Sequence, residues 1–146
     1  LLPFMTRVDF YILKNEDQSA RSLFACRLTE KAFRQGHRVF INAESDAQLR
    51  QLDDMLWVFR DGSFLPHAVF DATDAHPEPI LLGHGSEPQD CSDVLVNLSA
   101  EVPTWFGRFE RVAELVDGNE AQRTAARKRY SFYKDRGYTL NTHDIG

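Results

Sequence analysis

VDFYILKNEDQS, residues 8–19, decides the fold. VDFYIL (8–13) is a short apolar run rich in β-branched and aromatic side chains, which predicts a strand. KNEDQS then reads as a loop. In a dinucleotide-binding fold, a glycine-rich fingerprint follows the first strand and opens a helix. This loop contains no glycine. A strand feeding a helix without that fingerprint predicts an α/β domain that lacks a nucleotide-binding loop.

Outward from this stretch the pattern repeats. Residues 19–35 place Ala20, Phe24, Leu28 and Ala32 at helical spacing, with Leu23 beside them, and Gly36 stands where a helix terminates. RVFINA (38–43) predicts a second strand. Ser45 with Gln48 three residues on has the capping-box spacing, and Leu49, Leu52 and Leu56 share the face of the helix it opens. Strand, helix, strand, helix favours a mostly parallel central sheet flanked by helices. HAVFD (67–71), PILLGH (79–84) and DVLVNLS (93–99) read as further strands, separated by the polar loops 72–78 and 85–92. FERVAELV (109–116) fits either period. Its short length and the preceding Pro103–Gly107 breaker favour a strand. Residues 119–136 form the last helix, ended by Gly137, and YTLNTHDIG (138–146) reads as a short polar tail.

The chain has 146 residues, 42% hydrophobic and 27% charged, which suits one soluble domain spanning 1–146. The opening LLPFM lacks a basic region and a small-residue cleavage site, so no secretory signal is expected. Residues 1–4 are expected to be extraneous to the fold or disordered. No apolar run approaches the roughly 20 residues that span a bilayer, so no membrane contact and a cytoplasmic location are expected. Cys26 and Cys91 form no CxxC, and the five histidines show no metal spacing, so neither a zinc site nor any cofactor is expected. GHGS (83–86) lacks the GK[ST] of a phosphate loop and reads as a turn between strands. No GxSxG elbow supports a nucleophilic serine. The adjacent Asp53 and Asp54 diverge on their helix and read as a solvated face.

Charge is unevenly placed. The net charge is −5, yet residues 118–137 hold six basic and two acidic residues, leaving 11 basic against 20 acidic elsewhere. A small cationic island on an acidic body suits a local anionic partner better than a polyphosphate track. Within it Arg123, Arg127, Tyr130 and Lys134 fall on one helical stripe. That stripe has two readings. Tyr130 belongs to the core and the bases solvate the helix, or together they hold a carboxylate and pack an apolar group on the ring. MLWVFRDGSFLPH (55–67) also reads two ways. Trp57 and Phe64 flank a turn at Asp61-Gly62, where exposed apolar surface costs about 25 cal/mol per Å². They form a satellite core beneath the turn, or they are docking anchors.

FYIL near the start, GHRVFINAES, LDDMLW with SFLPH, DVLVNLS, FERVAELVD, and ARKRY with GYTLNT occur in an order and spacing that resemble the chi subunit family of bacterial DNA polymerase III holoenzyme. The likeness runs from Asp9 to Thr142. It implies a single Rossmann-like α/β domain without a nucleotide site, acting as a non-catalytic adaptor of the clamp-loader complex in DNA replication. One surface would bind the psi subunit, or in some relatives a DNA-repair helicase, through Trp57 and Phe64 with Pro66 nearby. Another would bind the acidic C-terminal tail of single-stranded DNA-binding protein. There Arg127 would grip the terminal carboxylate beside Tyr130, and Val116, Arg123 and Thr142 would line the pocket. Relatives can carry a Lys after that Tyr, where this sequence has Ser131. Lys128 and Lys134 are the neighbouring cations that would compensate. DNA would be reached only indirectly. The rival expectations are a Rossmann-like nucleotide-binding enzyme or one with a cryptic Ser/His site, and a direct single-stranded nucleic-acid binder using the basic terminal helix.

Overall fold

A computed structural model describes residues 5–62, 64–73, 77–89 and 93–145. Cys91, His76 and residues 1–4 lie outside them. In chain order the elements are β1 (Arg7–Leu13), α1 (Gln18–Arg34), β2 (Val39–Asn42), α2 (Asp46–Val58), β3 (His67–Val69), β4 (Ile80–Gly83), β5 (Val94–Asn97), β6 (Arg111–Val116), α3 (Glu120–Asp135) and β7 (Thr139–Ile145). A 3-10 turn, Phe106–Arg108, precedes β6. The strands form one sheet in the order β3-β4-β2-β5-β6-β1-β7, and its pairings are parallel throughout. The α/β class and the parallel sheet are as the strand–helix alternation implies.

Alternation along each strand divides the core in two. Val39 and Ile41 of β2, Val94 and Val96 of β5, and Ala113 and Leu115 of β6 face α1 and α2, meeting Ala25, Cys26, Leu52 and Leu56. Phe40, Leu95 and Val112 face the other way with Val8 and Phe10, against Phe106, Phe109 and Tyr133. Parallel strands covered on both faces read as continuous apolar runs, which is why β2, β4 and β5 are short and wholly buried.

Local signals act largely as their spacing implies. Ser45 Oγ accepts from the Gln48 amide at 3.1 Å, while Gln48 Oε1 accepts from the amide of Glu44 at 2.8 Å, one residue before the cap. Gly36 and Gly137 take φ of +88° and +79° at the ends of α1 and α3. One expectation is overturned. The polar tail is a seven-residue strand, β7, paired parallel with β1 from Arg7↔Thr139 to Leu13↔Ile145. It is an edge strand, so half its backbone groups need no partner strand and its outer side chains need not be apolar.

Candidate functional site

Parallel sheets in open α/β folds offer binding crevices at the carboxyl ends of their strands. Here β6 passes into α3 through a short turn capped by Asn119, whose Oδ1 accepts from the Ala121 and Gln122 amides. The first half of α3 therefore stands over the ends of β6, β1 and β7. Beneath it lies a hollow of about 190 Å³. Phe10 and Ile12 of β1, Val116 of β6 and Thr142 of β7 form one side. Arg123, Ala126, Arg127 and Tyr130 of α3 form the other. The register explains the convergence, because Phe10 pairs with Thr142 and Ile12 with Val116. Tyr130 is half-buried, its ring edge-on to Phe10 with centroids 5.4 Å apart. It is thus partly core and partly wall, which joins the two readings of the basic stripe.

The cations at the rim are weakly engaged. Arg127 is 68% exposed, and its Nη1 lies 3.7 Å from an oxygen of Glu120, itself 81% exposed. Such a surface pair is worth about 0–1 kcal/mol and yields readily to a better acceptor. Arg123 Nε is buried without a hydrogen-bond partner among the described residues. A buried donor without a partner carries a desolvation cost, and its residue is one of those lining the hollow. The amino-terminal half of α3 adds the positive end of its dipole. An apolar floor with guanidinium groups at its lip can hold an apolar side chain and a carboxylate together.

Five of the residues singled out in the sequence thus meet at one hollow: Arg127, Tyr130, Arg123, Val116 and Thr142. The two lysines do not line it. Lys134 lies exposed on the same stripe, one turn beyond Tyr130. Lys128 lies on the opposite flank of α3, in a separate groove. Phe10 and Ile12 were missed as site residues. Their signal was their even-numbered phase with Val8 on β1, the face that looks toward α3.

At the far edge of the sheet, Trp57 is 52% exposed and Phe64 82% exposed. Pro66 is exposed between the buried Leu65 and His67. The reading of Trp57 and Phe64 as a satellite core does not hold. Val58 and Val69, not singled out in the sequence, are exposed as well. The backing is firm. The His67 ring lies 4.2 Å from that of Trp57, its Nδ1 2.6 Å from the Leu65 carbonyl and its Nε2 3.1 Å from the Asp53 carbonyl. Asp53 Oδ1 also stands 3.3 Å from His67 Nε2, so Asp53 is a half-buried partner and not simply a solvated face.

Elsewhere at the strand ends, Arg21 of α1 is buried and bridges the loops after β2, β5 and β6. Its Nη1 donates to the Leu98 carbonyl at 3.1 Å, and it sits 3.1 Å from Glu44 and 3.8 Å from Asp117. His84 in the GHGS turn is 3.0 Å from the Ala43 carbonyl. Among the described residues, no group of three His, Cys, Asp or Glu side chains is placed to hold a metal. No described helix is long and apolar enough to cross a membrane.

The family model described as DNA polymerase III chi subunit, HolC, matches residues 5–141. The chain belongs to the DNA polymerase III chi subunit family. It is 45% identical over 141 residues to DNA polymerase III subunit chi of Pseudomonas aeruginosa, covering 97% of this chain and 98% of that one. It is 31% identical to the Haemophilus influenzae subunit chi over 94% of this chain and 96% of that one. Identity to the Escherichia coli K12 subunit chi is 27%, over 94% and 97%. Among solved structures, the crystal structure of T4 UvsW superposes with a TM-score of 0.69 at 8% identity, over 96% of this chain and 41% of that one. That likeness concerns the fold alone. Membership of the chi family makes the chain a replication accessory subunit.

Proposed function

We propose that this chi-family chain is a non-catalytic adaptor with two separate protein-binding surfaces. The hollow beside α3 holds the acidic C-terminal tail of single-stranded DNA-binding protein. The Trp57–Phe64–Pro66 surface holds the psi subunit of the clamp loader, or a DNA-repair helicase in its place. The observation that carries the reading is the convergence of Arg123, Arg127 and Tyr130 with strand residues on one apolar hollow, Arg127 being held there only by an exposed pair with Glu120. A terminal carboxylate displaces Glu120 from Arg127, while the terminal side chain packs against Tyr130 and Phe10. The acidic remainder of the chain disfavours bare DNA, so the strand is reached through its binding protein.

Calorimetric titration with an acidic peptide ending in an aromatic residue and a free carboxylate tests this. Arg127→Ala should weaken binding by on the order of 2–5 kcal/mol if the pair is desolvated. Equal binding by wild type and variant would remove the hollow from consideration. Tight binding of bare single strands at physiological salt would favour a direct nucleic-acid role, and a clear thermal shift with common nucleotides would favour an enzyme.

A further inference from the structure

A second depression lies on the other flank of α3. This groove of about 650 Å³ is lined by Ala121, Ala125 and Lys128 of the helix and by Ala100, Val102 and the exposed carboxylate Glu101 of the loop after β5, together with Phe132. At about 100° per residue, Arg123, Arg127 and Tyr130 look to one side of the helix axis, and Ala121, Ala125 and Lys128 look to the other. The ridge between them carries Thr124 and Ser131 in its middle turns, both exposed and both short, with the exposed acids Glu120 and Asp135 a turn beyond them at either end. It is therefore a saddle that an extended chain can cross. The side of the groove nearest the sheet is held firm. Arg129 donates from Nε to Glu114 at 2.9 Å and from Nη1 to the Ala100 carbonyl at 3.0 Å, which ties helix and loop together.

We infer that an acidic tail seated in the first hollow continues over Thr124 and Ser131 and places an upstream apolar side chain in the Ala121–Ala125–Val102 groove, an intervening carboxylate pairing with Lys128. This rests on the tail-capture reading and extends it. Charge selects the occupant. Residues 120–135 hold five basic and two acidic side chains, and Arg129 is the base among them neutralised by a buried carboxylate. A second copy docked through the same face would bring the same cations to the ridge. A nucleic-acid backbone would match the cations but has no apolar side chain for the groove. A helix is about 10–12 Å across and an extended chain advances about 3.3–3.6 Å per residue. The apolar residue therefore stands about three to four positions before the terminal one.

Calorimetry on the full chain with three peptides tests the extension. One is a four-residue acidic peptide ending in Phe with a free carboxylate. The second is a ten-residue peptide with the same end and a Leu four positions upstream. The third carries Ser at that position. Burial of a leucine-sized group predicts about tenfold tighter binding of the Leu peptide than of the Ser peptide. Ala125→Glu should abolish that advantage while leaving the four-residue peptide bound as before. Ala121→Glu, at an exposed position, should reduce the advantage without disturbing the fold. Equal binding of the Leu and Ser peptides, or an advantage that survives both variants, overturns the crossing and leaves tail capture intact. Failure of all three peptides to bind removes tail capture itself. A sedimentation shift of the free protein on Ala125→Glu assigns the groove to a second copy and overturns the inference.

Discussion

Arg129 Nε donates to Glu114 Oε1 at 2.9 Å, with the two side chains 3% and 0% exposed. Glu114 also accepts from the Tyr133 hydroxyl at 2.7 Å and from Asn97. This network fixes the rotation of α3 about its axis. Arg129 and Tyr133 point at the sheet, so Arg127 and Tyr130 are turned to the hollow. Breaking a buried pair leaves an uncompensated charge, so Arg129→Met should lower unfolding stability by about 3–5 kcal/mol. Arg127→Ala, two positions away and mostly exposed, should change it by no more than ~0.5 kcal/mol. Urea melts of the two variants make the comparison. Similar losses would mean that the network does not set the phase of the helix.

Phe64 is mostly solvent-exposed, whereas Trp57 rests on the buried His67 ring. Phe64→Ala should leave the melting curve within about 0.5 kcal/mol of wild type. Trp57→Ala should cost roughly 0.5–1.5 kcal/mol through the lost ring contact. If these side chains anchor psi, each variant should weaken its capture by at least about 2 kcal/mol in a co-purification or titration assay. Undiminished psi binding by both variants would move the docking surface elsewhere.

How far the sequence foretold this differs between elements. The start of α2 was legible from Ser45 with Gln48 and the ends of α1 and α3 from Gly36 and Gly137, whereas the caps Asp17 and Asn119, read as loop and as helix, emerge only in the fold. The buried strands were legible as uninterrupted apolar runs. β7 was not, since TLNTHDI carries few apolar residues. Its weak signal is the alternation of Tyr138, Leu140 and Thr142, the first two packing on the α3 side and Thr142 lining the hollow, opposed by His143 stacked on Tyr11.

The site was harder to read. ARKRY is a row of cations in which nothing local separates the exposed Arg127 from the buried Arg129. Only the pairing partner, 15 residues back on β6, does so. The hollow was foreseen through family resemblance, because it joins β1, β6, α3 and β7 across more than 130 residues of sequence. Hydrophobic periodicity reports which face is buried, not where two faces fail to meet.

Gly118 marks a close approach near the same strand ends. A Cβ there would lie 2.5 Å from the Lys14 carbonyl oxygen, and the Gly118 amide donates to the Asn15 carbonyl at 2.8 Å. Backbone cannot yield as a flexible side chain can. Gly118→Ala should therefore destabilise by about 1–3 kcal/mol. At Gly107 a Cβ meets nothing nearer than the Tyr138 hydroxyl at 4.0 Å. Gly107→Ala should be neutral or stabilising by up to ~1 kcal/mol. Thermal melts of the pair decide it, and equal effects would mean the loops after β1 and β6 adjust freely.

Cys26 gives a pH signature. Burial among the α1-side core pushes its thiol from 9.0 up to about 12. The folded state therefore disfavours the thiolate, and the unfolded chain ionises first. The stability this provides is fully present below about pH 9 and is lost as pH rises toward 12, at up to about 1.4 kcal/mol per pH unit. Urea melts of wild type and Cys26→Ala at pH 8, 9, 10 and 11 isolate the contribution, since the buried Tyr133 phenol, also raised, is common to both. The wild-type curve should fall more steeply above pH 9. Mass-spectrometric mapping at pH 8 should find Cys26 alkylated only after denaturation. Parallel curves, or ready labelling of the native protein, would place the thiol in contact with water.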